Sequence, residues 1–486
     1  MSVDEGRNPS VIIIGAGMSG LCLAIQLREA GFTSITLLEK SPEVGGTWLD
    51  NSYPNAGCDV PSFLYSFSFA PNHEWSMKYA RQPEILDYLK NCADHFDVRR
   101  LIRFGTAVKS AKYDEQATSW KVQTESGEEL VADILVSAVG QLNRPQIPDI
   151  PGIDEFQGQA WHSARWNHQY DLTGKTVAII GNGASAIQFV PEVAKLAARI
   201  HLFQRTPSWI HPLNNYRYPA WAKWCFRNVP YASKLHRLWI FLMCEWRIIA
   251  FREGSLANRI YRWWLKRQMK KHIPESLRET LIPDYAPGCK RILLSSNFLQ
   301  TVTQEKVEII TEPVASLSRD SVCTDSRSVR VDAVIFGTGF DSVGFLQPMQ
   351  IVGRNSAELH ESWAQRPRTL LGVATPGFPN FFLLYGPNTN LGHNSIIFMV
   401  EQQVRYIIQC LQRMKQQRCT EVEVTAAAVE DYDKDVQERL ATSVWAGDCS
   451  NWYKSADGVI VNNWWGSAGA YARQMREPDF SAFHFR

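Results

Sequence analysis

The chain has 486 residues and 45% apolar content, enough for two or three domains with ordinary packed cores. Its 51 basic and 49 acidic residues nearly cancel, which excludes a chain-wide field directed at nucleic acid or at a strongly acidic partner. Ten cysteines stand singly, none within three residues of another, which argues against a disulfide framework or a CxxC zinc site, and no metal centre is expected.

The first apolar run starts at Val11 and breaks at Gly15, too short for a signal-peptide core, and no basic leader precedes it. The expectation is a cytoplasmic protein with reduced thiols. Val11 to Ile14 is a β-branched run suited to a strand buried on both faces of a parallel sheet. Gly15, Gly17 and Gly20 then spell GxGxxG, the pattern that permits a tight turn, close backbone approach to a pyrophosphate and close helix packing. A helix is predicted over Met18 to Glu29, its amino end facing phosphate, and a second strand over Ser34 to Leu38. Glu39 ends that strand 19 residues after Gly20 (39 − 20), where a carboxylate accepts hydrogen bonds from a ribose diol.

The logic repeats from Lys175. The run TVAII leads into Gly181-Asn182-Gly183-Ala184-Ser185-Ala186, the GxGxxA form of the same turn, and a helix over Ser185 to Leu196 feeds a strand over Arg199 to Phe203. That strand ends in Gln204-Arg205-Thr206, and Arg205 lies 19 residues after Ala186 (205 − 186). The offset of Glu39 is thus kept and the charge inverted. A guanidinium pairs with a ribose 2′-phosphate that a carboxylate would repel. An acid-tipped unit followed by a base-tipped one points to FAD followed by NADPH.

The fold class expected is α/β: two Rossmann-like dinucleotide-binding domains, for FAD and NADPH, with a helical insertion. Strand-like Ile134 to Val139 and Asp332 to Phe336 both run into glycine, and they bracket the second unit as crossings between domains. The expected division is residues 1–150 for the first part of the FAD domain, 151–330 for the NADPH domain with an insertion at about 211–275, and 331–486 for the rest of the FAD domain. A strand over Phe381 to Leu384 and a helix opening near Asn394-Ser395 follow; Ile396, Ile397, Val400, Val404, Ile407, Ile408 and Leu411 recur at helical spacing as core. That helix start could stabilise negative charge on a reduced flavin.

The insertion has the most unusual composition. His211 to His272 carries 13 Lys or Arg residues against Glu245 and Glu253, with six tryptophans. Glu245 and Arg247 cut the apolar run Leu238 to Cys244 well short of the roughly 18 residues of a spanning helix. Two readings stand: a lid over a substrate site, which is favoured, or a basic amphipathic surface resting on anionic lipid.

Three further stretches carry a family resemblance. Phe156 to Trp166 resembles the FxGxxxHxxxW fingerprint of Baeyer–Villiger monooxygenases, with His162 on the connection between domains. Gly46-Thr47-Trp48 and Cys58-Asp59-Val60-Pro61 are similar to the family's second signature around the flavin, and Gly288-Cys289-Lys290-Arg291 to the segment carrying its active-site arginine. Asn167 departs from the usual Pro or Asp after the fingerprint, while Trp166 favours the ketone-oxidising branch over the amine- and sulfide-oxygenating relatives.

The resemblance implies that NADPH reduces FAD, that a C4a-peroxyflavin forms with dioxygen, and that a ketone substrate, apolar or aromatic under a Trp-rich roof, becomes an ester or lactone. Arg291 would stabilise the negative charge, Asp59 would orient it, and Lys290 would sit near the NADP phosphate. The alternatives kept open are an N- or S-oxygenating flavin monooxygenase and an NADPH-dependent flavin reductase or oxidase; the absent CxxC argues against the disulfide-reducing version.

Overall fold

The computed structural model describes residues 8–449, 451–455 and 457–486. Residues 1–7, on which the reading of a missing leader partly rests, lie outside the described residues.

In chain order the strands of the two main sheets are β1 (Val11–Ile14), β2 (Ile35–Leu38), β3 (Ile102–Arg103), β4 (Ile134–Ser137), β5 (Gln159–His162), β6 (Thr176–Ile180), β7 (Arg199–Phe203), β8 (Val307–Ile310), β9 (Ala333–Phe336) and β10 (Phe381–Leu383). The first sheet has the order β10-β4-β1-β2-β3 and the second β8-β7-β6-β9-β5. Every pairing in both is parallel.

Burial on both faces explains the unbroken apolar runs. Along β1, Val11 and Ile13 enter one core and Ile12 and Ile14 another; along β6, Val177 and Ile179 separate from Ala178 and Ile180 in the same way. Helix α1 (Met18–Glu29) links β1 to β2, and α2 (Ala186–Leu196) links β6 to β7.

The second sheet runs on past the boundary expected at residue 330. Ala333 to Phe336 are all buried, and β9 sits between β6 and β5, so the return to the first sheet comes only after Gly337. The two crossings share a geometry. A Cβ on Gly15 would lie 2.9 Å from the Ala138 carbonyl oxygen just past β4, and one on Gly181 would lie 2.4 Å from the Gly337 carbonyl oxygen just past β9. Each crossing strand thus packs its carboxyl end onto a glycine turn.

The insertion holds α3 (Ala220–Asn228), α4 (Ala232–Glu245) and α5 (Leu256–Lys270). Its tryptophans are mostly turned to solvent. Trp221, Trp224, Trp239, Trp246 and Trp263 are exposed, and only Trp264 is partly covered. Near the carboxyl end, α6 (Ile396–Gln417) buries Ile397, Val400, Val404, Ile407 and Leu411 against α1 and its neighbours. Among the described residues, no helix is long and apolar enough to cross a membrane.

Candidate functional site

At the first glycine turn the three glycines have different neighbours. Gly15 has φ +101°, and a Cβ on Gly20 would lie 1.9 Å from the Gly15 carbonyl oxygen, so both are fixed by the turn and the close seat of α1. A Cβ on Gly17 would meet nothing nearer than Gly46 Cα at 3.6 Å. The backbone at Gly17 is therefore open to a phosphate group, with the Gly46-Thr47-Trp48 segment facing it. Glu39 is buried at the tip of β2, where Oε2 accepts from the Ala16 amide at 2.7 Å and Oε1 from the Ser41 amide at 2.8 Å. Each oxygen keeps a further lone pair for a ribose hydroxyl. Thr47 opens a short helix, and Trp48 donates its indole N–H to the Tyr65 hydroxyl at 3.1 Å.

The second turn repeats this arrangement. Gly181 has φ +105°, and a Cβ on Gly183 would come no nearer than 3.9 Å to any neighbour. Ser185 stands at the amino end of α2 with a hydroxyl that does not cap the helix. Asn182 shapes the tip of β7 by donating to Gln204 Oε1 at 3.0 Å and to the Thr206 carbonyl at 2.9 Å. Arg205 and Thr206 are thereby presented outward. Lys290 arrives from a distant segment and donates to Thr206 Oγ1 at 2.7 Å. Burial, and then the nearby Arg205 charge, pull the Lys290 ammonium below its ordinary value. Crowding of two cations is relieved when an anion such as a phosphate joins them.

Next in sequence to Lys290, Arg291 donates to Asp59 Oδ2 through Nε at 3.0 Å and Nη2 at 2.6 Å. The Asp59 carboxylate holds the guanidinium well above its usual range, so Arg291 stays a cation. Tyr385 and Tyr453 lie within its field. Burial raises both phenols, Tyr453 to about 12, which keeps them protonated; the Tyr385 hydroxyl donates to Asn390 Oδ1 at 2.7 Å. The segment Lys290-Arg291 thus touches both the tip of β7, through Thr206, and the Asp59 segment.

One expectation is corrected. Cys289, beside Lys290 and Arg291, forms a disulfide with Cys449, with Cα atoms 6.2 Å apart. The reading of uniformly reduced thiols overlooked it because the partners are 160 residues apart. Gly288 reinforces the anchor: with φ +95°, its Cβ would lie 3.0 Å from Val444.

The fingerprint stretch is largely a packing device. A Cβ on Gly158 would lie 2.5 Å from both Phe156 and the Asp332 carbonyl, and Trp166 packs on Phe189 of α2 at 5.3 Å between ring centres. His162 closes β5, buried beside Phe340, and burial lowers its pKa.

Gln188 escaped the motif reading. Its Oε1 accepts from the Tyr53 hydroxyl and the Gly57 amide, both at 3.1 Å, and its Nε2 donates to the Gly57 carbonyl at 3.0 Å. It staples α2 to the segment leading into Asp59. A glutamine between the buried Ile187 and Phe189 was the available signal. Glu245, read only as a break in an apolar run, accepts from the Ala468 and Gly469 amides at 3.0 and 3.1 Å and from Asn394 at 2.7 Å. It ties α4 to the loop that opens α6. Among the described residues there is no cluster of metal-ligating side chains.

Comparison with known proteins places these features in a family context. A family model described as flavin-binding monooxygenase-like matches residues 8–362. A Baeyer–Villiger monooxygenase of Pseudomonas aeruginosa is 38% identical over 98% of this chain and 92% of its own. One from Streptomyces coelicolor is 39% identical over 97% and 92%. Among solved structures, an oxidised steroid monooxygenase bound to NADP superposes with a TM-score of 0.88 at 31% identity, covering 98% of this chain and 99% of its own. OTEMO in complex with FAD and NADP gives 0.89 at 27% identity, over 99% and 100%. Cyclohexanone monooxygenase from Rhodococcus sp. Phi1 bound to NADP+ gives 0.87 at 27%, over 98% and 99%.

Proposed function

The chain belongs to the flavin-binding monooxygenase-like family and, within it, to the Baeyer–Villiger monooxygenases; from that premise we propose that it uses FAD, NADPH and dioxygen to convert ketones to esters or lactones. FAD, when bound, would supply a redox centre that takes hydride from NADPH and activates dioxygen.

The protein's part is to bind, orient and stabilise charge. Glu39 would receive a ribose diol and the open backbone at Gly17 a pyrophosphate, with Gly46, Thr47 and Trp48 alongside. Gly181, Gly183 and Ser185 would hold the second pyrophosphate, and Arg205, Thr206 and Lys290 the 2′-phosphate that distinguishes NADPH from NADH. Arg291 would meet negative charge developing on the substrate oxygen, a contribution of about 3–4 kcal/mol by analogy with single oxyanion-hole donors. Asp59 holds its guanidinium in place. Protonated Tyr453 adds a neutral donor near the guanidinium, while the Tyr385 hydroxyl donates to Asn390 Oδ1 at 2.7 Å.

The observation that carries the reading is the Asp59–Arg291 pair in a chain with two open glycine turns, one ending in Glu39 and the other in Arg205 beside Lys290. A test mixes the purified flavoprotein with NADPH, air and a panel of cyclic and aryl ketones and identifies products by mass spectrometry. Ester or lactone formed in step with NADPH consumption supports the reading. Thioether oxidation to sulfoxide with every ketone untouched would reassign it to the heteroatom-oxygenating branch.

A further inference from the structure

The insertion turns an apolar helix face toward solvent. On α4, Leu235, Leu238, Trp239, Leu242 and Met243, continued by Trp246 just past its end, recur at helical spacing and are each 49–72% exposed, while Ile240 and Cys244 on the opposite face are buried. Neighbouring α3 adds Trp221 and Trp224, and α5 adds Leu256, Ile260 and Trp263. Among the described residues, 15 of the 19 exposed large apolar side chains fall between Tyr216 and Trp263, so this is one patch rather than ordinary scatter.

The patch is also basic. Its segment carries 13 Lys or Arg residues and two acids; Glu245 is turned inward onto the Ala468 and Gly469 amides, and among the cations Arg237 is turned inward and Arg227 pairs with Glu74. Arg259, Arg267, Lys270 and Lys271 are exposed along α5, and Arg267 lies over the Trp263 ring at 5.6 Å. The inner side of α4 fixes the orientation: Arg237 donates to the Ser66 carbonyl at 3.0 Å, and Glu245 grips the helix start at Ala468.

We propose that the outer face of α3, α4 and α5 docks on the surface of an anionic lipid bilayer. Leucine, methionine and tryptophan flanked by Lys and Arg suit the boundary between acyl chains and headgroups, where the apolar face sinks in and the cations meet lipid phosphate. A second copy of this chain is a poorer occupant, because it would press one basic face against another. The protein rests on the bilayer and does not cross it, in keeping with the lack of any spanning helix among the described residues.

The test is sedimentation of the full-length flavoprotein with vesicles of phosphatidylcholine alone and of equimolar phosphatidylcholine and phosphatidylglycerol, at low and high salt. Binding is expected only to the anionic vesicles and is weakened by salt, each cation near the surface adding about fivefold to the partition constant. The double variant Lys270→Glu and Lys271→Glu should lower that constant by more than about tenfold. Leu242→Ser should lower it by about tenfold with the salt dependence retained. Flavin absorbance and circular dichroism report whether each variant is folded, independently of any turnover. Failure of the wild-type protein to bind either vesicle overturns the proposal. So does a dimer in velocity sedimentation that Trp246→Ser disperses while vesicle binding is absent, which assigns the face to a second copy.

Discussion

Arg291 reaches Asp59 across 232 positions of sequence and places two donors, at 3.0 and 2.6 Å, on the same carboxylate oxygen. Because both bonds go to Oδ2, Nη1 stays outside the pair. Arg291→Ala is expected to keep FAD and lose about two to three orders of magnitude in kcat for ketone oxygenation. Arg291→Lys should not restore it, since an ammonium cannot reproduce the guanidinium fork. Asp59→Asn should cost less, because it loosens the arginine without deleting the charge. Steady-state kinetics with flavin content measured in parallel checks all three, and an Arg291→Ala enzyme with undiminished product formation would remove the assigned role.

The Arg205, Thr206 and Lys290 cluster sets a second expectation. A charge-assisted bond to phosphate contributes about 1.5–3 kcal/mol, so Arg205→Glu should raise KM for NADPH by about ten- to a hundredfold while leaving KM for NADH nearly unchanged. Equal loss with both nucleotides would place the 2′-phosphate elsewhere.

The Cys289–Cys449 bridge closes a stretch of 160 residues and anchors the segment bearing Lys290 and Arg291. Its removal by Cys449→Ser should cost about 2–5 kcal/mol of stability. Dithiothreitol should lower the melting temperature of the wild-type protein and leave that of the variant alone. Identical wild-type melting curves with and without reductant would mean that the bridge does not form in solution.

Glu245 makes stability depend on pH. Burial raises its pKa, but His393, Asn394 and the Gly469 and Ala468 amides outweigh burial and hold it at about 2, below the ordinary 4.5. The carboxylate therefore contributes its stability in full above about pH 4.5 and loses it as pH falls toward 2, on the order of 2–3 kcal/mol. Glu245→Gln should melt below the wild type at pH 7, with the gap closing as pH drops through that window. A gap that stays constant down to pH 3 would show that packing, rather than charge, is what the substitution removes.

Much of the fold was legible because strands buried on both faces leave continuous apolar runs, and because glycine turns and strand-end charges are local. The predicted span of α1, Met18 to Glu29, matches the structure, as does that of β7, Arg199 to Phe203. Sheet membership is less local. Ala333 to Phe336 reads as a strand, yet which sheet receives it depends on a partner more than 150 residues earlier, β6. The Cys289–Cys449 pair likewise leaves no spacing pattern. Helical spacing on α4 reveals an apolar face, but not whether that face turns inward as a lid or outward as a surface. Gln188 joins α2 to the segment leading into Asp59 through three hydrogen bonds that no motif encodes.

The central claim is that this chain inserts oxygen beside a ketone carbonyl. The direct measurement supplies isotopically labelled dioxygen and NADPH with cyclohexanone and reads the product by mass spectrometry. The account predicts a lactone carrying a single labelled oxygen, in the ring position, with the carbonyl oxygen unlabelled. NADPH consumed with only labelled hydrogen peroxide formed and the ketone recovered intact, across the whole ketone panel, would contradict it.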